Sequence, residues 1–129
     1  MIRPSELPSS EALAYLGDAI FSLYVRRFLV ARGISHAGEL NHLAERFVTA
    51  PRQAEIFRML EGRLTEEEAD IFKRAFNHKG LKHPKHASGK DYRTATGLEA
   101  LLGALYLTGQ NERIEELLCD VLTISPEDI

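Results

Sequence analysis

Between Glu11 and Leu29 the chain reads EALAYLGDAIFSLYVRRFL, apolar at most positions yet broken midway by Gly17-Asp18. A helix that is hydrophobic almost all round belongs at the centre of a domain or against another subunit. An aspartate within it is costly unless it is paired, hydrogen-bonded or on a metal. Glu11 and Ala14 stand seven and four residues before Asp18. At about 100° per residue the three share one face. Two carboxylates therefore look out of one side of a helix whose other sides ask for burial, and chemistry is expected on that side.

The length of 129 residues suits a single domain over 1–129 with a real core. With 44% hydrophobic and 27% charged residues, the composition excludes a disordered or fibrous chain. The apolar runs fall short of the roughly 20 residues of a membrane span, and MIRPSELPSS lacks the apolar centre of a secretory signal. No membrane partner is expected, and the cytoplasm is the expected location. Cys119 is the single cysteine, which excludes an internal disulfide and a zinc knuckle. It reads as a small hydrophobe buried on the last helix.

Periodicity gives an all-α fold with no strand and no internal repeat. The first helix starts at Ser9 or Ser10 and runs to about Ala31, with Gly33 as its stop. A second covers about Ala37 to Thr49 with Leu40, Leu43, Ala44, Phe47 and Val48 on one stripe. Pro51 opens a third, which Gly62 ends. Thr65-Glu66-Glu67-Glu68 is a capping box for a fourth. The period then fails from Asn77 to Asp91, a length more often functional than idle. It returns from Tyr92 to about Leu107, and a short last helix starts at Gly109 or Asn111.

Charge is distributed unevenly. Residues 73–93 hold Lys73, Arg74, Lys79, Lys82, Lys85, Lys90 and Arg93 against Asp91 alone, a local +6 in a chain of net charge -3. The remainder therefore carries -9, an asymmetry that points to a polyanionic partner. His78, His83 and His86 lie in the same stretch. With no cysteine nearby and a Pro-Lys-rich setting, they read as part of the basic surface rather than as a zinc site.

The second mostly apolar helix repeats the oddity of the first. In YRTATGLEALLGALYL, Glu99 stands amid leucines, with Gly97 and Gly103 thinning the helix for a close neighbour. Two central helices, each with one buried-looking acid, suggest that Asp18 and Glu99 converge. Facing carboxylates repel unless a cation lies between them, and hard oxygen ligands with open positions suit Mg2+, or Mn2+ in its place. Such an ion lowers the pKa of bound water and stabilises charge on a phosphate under attack. The competing interpretation has Asp18 and Glu99 in structural hydrogen bonds or ion pairs with nearby arginines. Spacing alone leaves both open.

EALAYLGDAIFSLYVR resembles the first catalytic motif of the ribonuclease III superfamily, commonly E-R-L-E-F-L-G-D-A. ATGLEALLGALYL resembles the second, commonly D-A-F-E-A-L-I-G-A-L-Y, and the two motifs occur in the family's order and at its distance. The likeness covers most of the chain. Ala14 stands where the family's second acid stands, and Thr96 where it has an aspartate. There is no room for the double-stranded-RNA-binding domain that usually follows. These departures, with Asn77 and Tyr92-Arg93-x-Ala95-Thr96, are similar to the short Mini-ribonuclease III branch.

The resemblance implies an endoribonuclease hydrolysing double-stranded RNA to 5'-phosphate and 3'-hydroxyl ends, with the stem of the 23S ribosomal RNA precursor as substrate. Asp18 and Glu99 become the catalytic, metal-binding pair, with Glu11 and Thr96 as orienting groups beside them. Lys73, Arg74, Asn77, Lys79, Lys82, Lys85, Lys90 and Arg93 become RNA contacts, read through phosphates and shape rather than bases. A homodimer follows in which the first-motif helices meet through Leu13, Tyr15, Leu16 and Ile20. The resemblance also leaves a place for a ribosomal protein as accessory partner. The alternative, favoured by the missing acids at Ala14 and Thr96, is a non-catalytic RNA-binding and dimerisation module on the ribosome.

Overall fold

The structure is a computed structural model that describes residues 3–78 and 89–124. Among these, every regular element is helical: α1 (Ser10–Ala31), α2 (Ala37–Phe47), α3 (Ala50–Leu60), α4 (Glu66–Phe76), α5 (Gly89–Leu107) and α6 (Asn111–Leu118), with 3-10 turns at Pro4–Glu6 and Glu61–Arg63.

Side-chain chemistry sets the ends. Ser9 caps α1 by accepting from the Ala12 amide at 3.2 Å. Gly33 closes the helix at φ 89°, a left-handed conformation in which a Cβ is strained. The Thr65 box is complete: its hydroxyl accepts from the Glu68 amide while the Glu68 carboxylate accepts from the Thr65 amide. Glu68 also receives Arg113 at 2.9 Å, which ties α4 to α6.

Two boundaries and one burial differ from expectation. Thr49 lies outside α2 because its hydroxyl accepts from the Arg52 amide and caps α3 instead. The fifth helix begins at Gly89, a turn earlier than Tyr92, because its first residues do not face the core and carry no apolar period. Thus Lys90 and Asp91 are helical, and Asn77 is the C-cap of α4. Cys119 is exposed just past the end of α6 rather than buried, since Leu117 and Leu118 take the inward positions.

The centre of the molecule is the α1–α5 pair, on which α3 and α4 also pack through α5. From Thr94 to Leu105 every residue of α5 except Glu99 is buried. The two central helices run antiparallel and touch backbone to backbone at two points. A Cβ on Gly17 would stand 1.6 Å from the Glu99 carbonyl oxygen, and one on Gly103 would stand 2.2 Å from that of Leu13. Gly97 gives similar room to the Phe72 ring, which stacks on Phe57 at 3.9 Å.

Candidate active site

The Gly17–Glu99 backbone contact decides where the acids go. Asp18 follows Gly17 on the outward side of α1, and Glu99 is the one acid of the buried part of α5 and faces the same opening. Their carboxyl groups lie within hydrogen-bonding reach of each other. They line an open cleft of about 350 Å³ together with Glu11, Tyr15, Gln53, Tyr92 and Thr96. A larger hollow of about 440 Å³ is lined by Pro4, Leu7 and the first turn of α4. There Glu68 is already committed to its cap and to Arg113, so that hollow presents no comparable acid pair.

Burial pushes the Glu99 carboxyl up to about 8, the Asp18 charge pushes the same way, and a hydrogen bond from Gln53 opposes both. What faces Glu99 is therefore a second carboxyl and a neutral amide. The ion pair with an arginine that spacing left open is not what holds it. The donor set has the chemistry of a hard-cation site, two carboxylates at an open cleft, but it is small: the described residues hold no group of three or more His, Cys, Asp or Glu placed to hold a metal ion. Mg2+ suits such a site, because it keeps several waters and takes only one or two carboxylates.

The neighbours of the pair are less uniform. Glu11 is exposed at the cleft, its Oε1 3.5 Å from Nε2 of His78. Thr96 does not orient Glu99 with its proton, because its hydroxyl donates to the Tyr92 carbonyl at 3.0 Å, as helical threonines commonly do. The side chain that does donate to Glu99 is Gln53, whose Nε2 lies 3.3 Å from Oε2. In the sequence Gln53 shows only as one polar residue on the stripe of Ala54, Ile56, Phe57 and Leu60, a weak signal without knowledge of what lies opposite.

Lys73 and Arg74 are exposed on the last turn of α4, Asn77 is exposed at its cap, and Lys90 and Arg93 are exposed at the start of α5. These five flank residues 79–88; Lys79, Lys82 and Lys85 lie outside the described residues. The assignment of the outer face of α1 changes. Leu13 and Ile20 are 4% and 5% exposed inside the chain's own core, and Leu16 packs beside that core. Tyr15, Leu23 and Val30 are the large apolar residues that α1 leaves exposed.

A helical domain whose two central helices cross at glycine and present facing acids to an open cleft is a recognisable class. Residues 11–110 match the Ribonuclease III domain family, and the chain belongs to the ribonuclease III family. It is 44% identical over 118 residues to the Mini-ribonuclease 3 of Symbiobacterium thermophilum, covering 92% of this chain and 90% of that one. It is 46% identical over 109 residues to the Mini-ribonuclease 3 of Enterococcus faecalis, covering 83% of each. A crystal structure of a Fusobacterium nucleatum protein superposes with a TM-score of 0.83 at 32% identity, over 94% of this chain and 98% of that one. Within the family the chain stands on the Mini-ribonuclease 3 branch and is an endoribonuclease.

Proposed function

We propose that the chain is a Mg2+-dependent endoribonuclease that works as a homodimer on double-stranded RNA, with the stem of the 23S ribosomal RNA precursor as its substrate. The observation that carries the chemistry is the meeting of Asp18 and Glu99 at one open cleft, two acids far apart in the chain, with no Lys or Arg among the described residues that line it. A divalent ion bound there supplies a more acidic water and neutralises charge on the phosphate under attack. Asp18 and Glu99 hold that ion, and Glu11 stands at the same cleft, 3.5 Å from His78.

Substrate binding rests on charge. Lys73, Arg74, Lys90 and Arg93 flank a segment that adds Lys79, Lys82 and Lys85, giving a basic surface for the phosphates of a duplex. Such contacts read shape and phosphate spacing with little base selectivity. The precursor stem as substrate, the cytoplasm as location and a ribosomal accessory protein are supported by the resemblance to the branch.

The test is a titration of Mg2+ with a long RNA duplex, comparing the wild-type chain with Asp18→Asn and Glu99→Gln. Turnover is expected to fall by roughly 100-fold or more in either variant, the scale of losing one preorganised electrostatic group. RNA binding without cleavage by the wild type at every Mg2+ concentration would establish the non-catalytic module instead. A precursor fragment with paired ends, offered against an unrelated duplex, tests the choice of substrate.

A further inference from the structure

We propose that Gln53 is a positioning residue for the acid pair, its carboxamide holding Glu99 so that the Glu99 carboxylate faces Asp18 and the two share one divalent cation. This rests on Asp18 and Glu99 being a cation-binding pair.

Gln53 is the polar exception on the buried face of α3. It is 3% exposed among Ala54, Ile56, Phe57 and Leu60, and its Nε2 donates to Oε2 of Glu99 at 3.3 Å. Burying an amide costs free energy that an apolar side chain avoids, unless its hydrogen bonds are made. A purely structural requirement at this position would be met by leucine or methionine. Of the residues beside it in the cleft, Ala14 and Ala95 have no polar side-chain atom, and the Thr96 proton goes to the Tyr92 carbonyl. Glu99 projects from a helix that is fixed by backbone contact at Gly17, but its own side chain has rotatable bonds that this contact does not set. The amide supplies the restraint.

A neutral donor suits this task. An arginine or lysine at the same distance would fix Glu99 but cancel the charge the cation needs, whereas an amide fixes it and leaves the charge in place. The donor is itself well placed in the chain. The Gln53 backbone N–H donates to the Thr49 carbonyl at 2.9 Å, and the Thr49 hydroxyl caps the same first turn of α3. These bonds fix the first turn of α3, a helix that packs on α5, and with it the reach of Gln53.

Gln53→Met, similar in length and apolar, removes the donor and little else. Direct Mn2+ binding, followed by the paramagnetic resonance of free Mn2+, is expected to weaken tenfold to a hundredfold, the range for loss of a group that orients a metal ligand. Melting temperature is expected to stay near wild type, and turnover to fall while KM for an RNA duplex stays put. Wild-type Mn2+ affinity in a folded Gln53→Met would overturn the proposal. Should that variant fail to melt cooperatively, Gln53→Asn carries the test. It keeps the amide but withdraws it by one methylene, and wild-type affinity there would equally overturn the role. Asp18→Asn in the same assay separates the two levels. If it also binds Mn2+ as wild type, the acid pair is not a cation site; if it alone loses the ion, only the role of Gln53 falls.

Discussion

Glu99 keeps its proton well above the range in which an ordinary glutamate has lost it, because ionising it buries one negative charge beside another. Its carboxyl stands near 8 in the folded chain against 4.5 for an unhindered glutamate. A raised acid of this kind stabilises the fold fully below about 4.5, and the contribution is lost as pH rises through about 8. Between those values the folded state holds a proton that the unfolded chain has released. The metal-free protein should therefore lose thermal stability as pH is raised from 5 to 8.5. Mg2+ binds the ionised form, so it should stabilise more at the alkaline end and reduce that slope. Melting temperatures in EDTA and in Mg2+ check both expectations. Glu99→Gln should flatten the metal-free slope over this window, and a slope that survives the substitution would move the titration to another group.

At the scale of elements, the crossing of α1 and α5 is what turns two separate acids into a pair, and glycine makes the crossing possible. Gly17→Ala would place a methyl 1.6 Å from the Glu99 carbonyl oxygen, a backbone atom that cannot swing aside. The helices must separate, and a cost of about 3 kcal/mol or more is expected from denaturant unfolding, at or beyond the upper end for overpacking. Gly38→Ala is the control: it is a helical glycine with nothing within 4 Å of the added carbon. It should stabilise by about 0.4–1 kcal/mol. If the two variants unfold alike, the close approach of the helices is not what selects glycine at position 17. Much of this was legible in the sequence, because Ser9, Gly33 and Thr65 act locally and the acids of α1 and α5 stand out against leucines. The start of α5 was not, since Gly89-Lys90-Asp91 brings no apolar residue to the core. Gln53 was not either, since one amide on α3 means nothing until Glu99 is known to lie opposite.

At the scale of the whole molecule, an almost wholly apolar helix does not tell from sequence which side serves its own core and which side is left over. The structure divides α1: Leu13, Ile20, Phe21, Val25 and Leu29 turn inward, while Tyr15, Leu23 and Val30 remain 86%, 60% and 61% exposed. With Ala19, these outward residues fall within about 80° of one another around the helix. Exposed Arg26 falls within the same arc, so they form an apolar stripe crossed by one charge, of the kind that marks an association surface when it is not isolated side chains. Asp18 sits about 60° from the Tyr15 edge of that stripe, so a second copy seated along it would bring two acid clefts side by side, one for each strand of a duplex. The proposed homodimer is thus predicted to be sealed by Tyr15, Leu23 and Val30 and not by Leu13 or Ile20. Leu23→Asp puts an unpartnered charge in such a contact at a position that is itself 60% exposed and outside the core. Sedimentation should show a monomer with an unchanged helical circular dichroism spectrum, and cleavage of both strands should give way to weak or single-strand nicking. A Leu23→Asp protein that still sediments as a dimer would place the association surface off α1, and the two clefts would then need another route to one duplex.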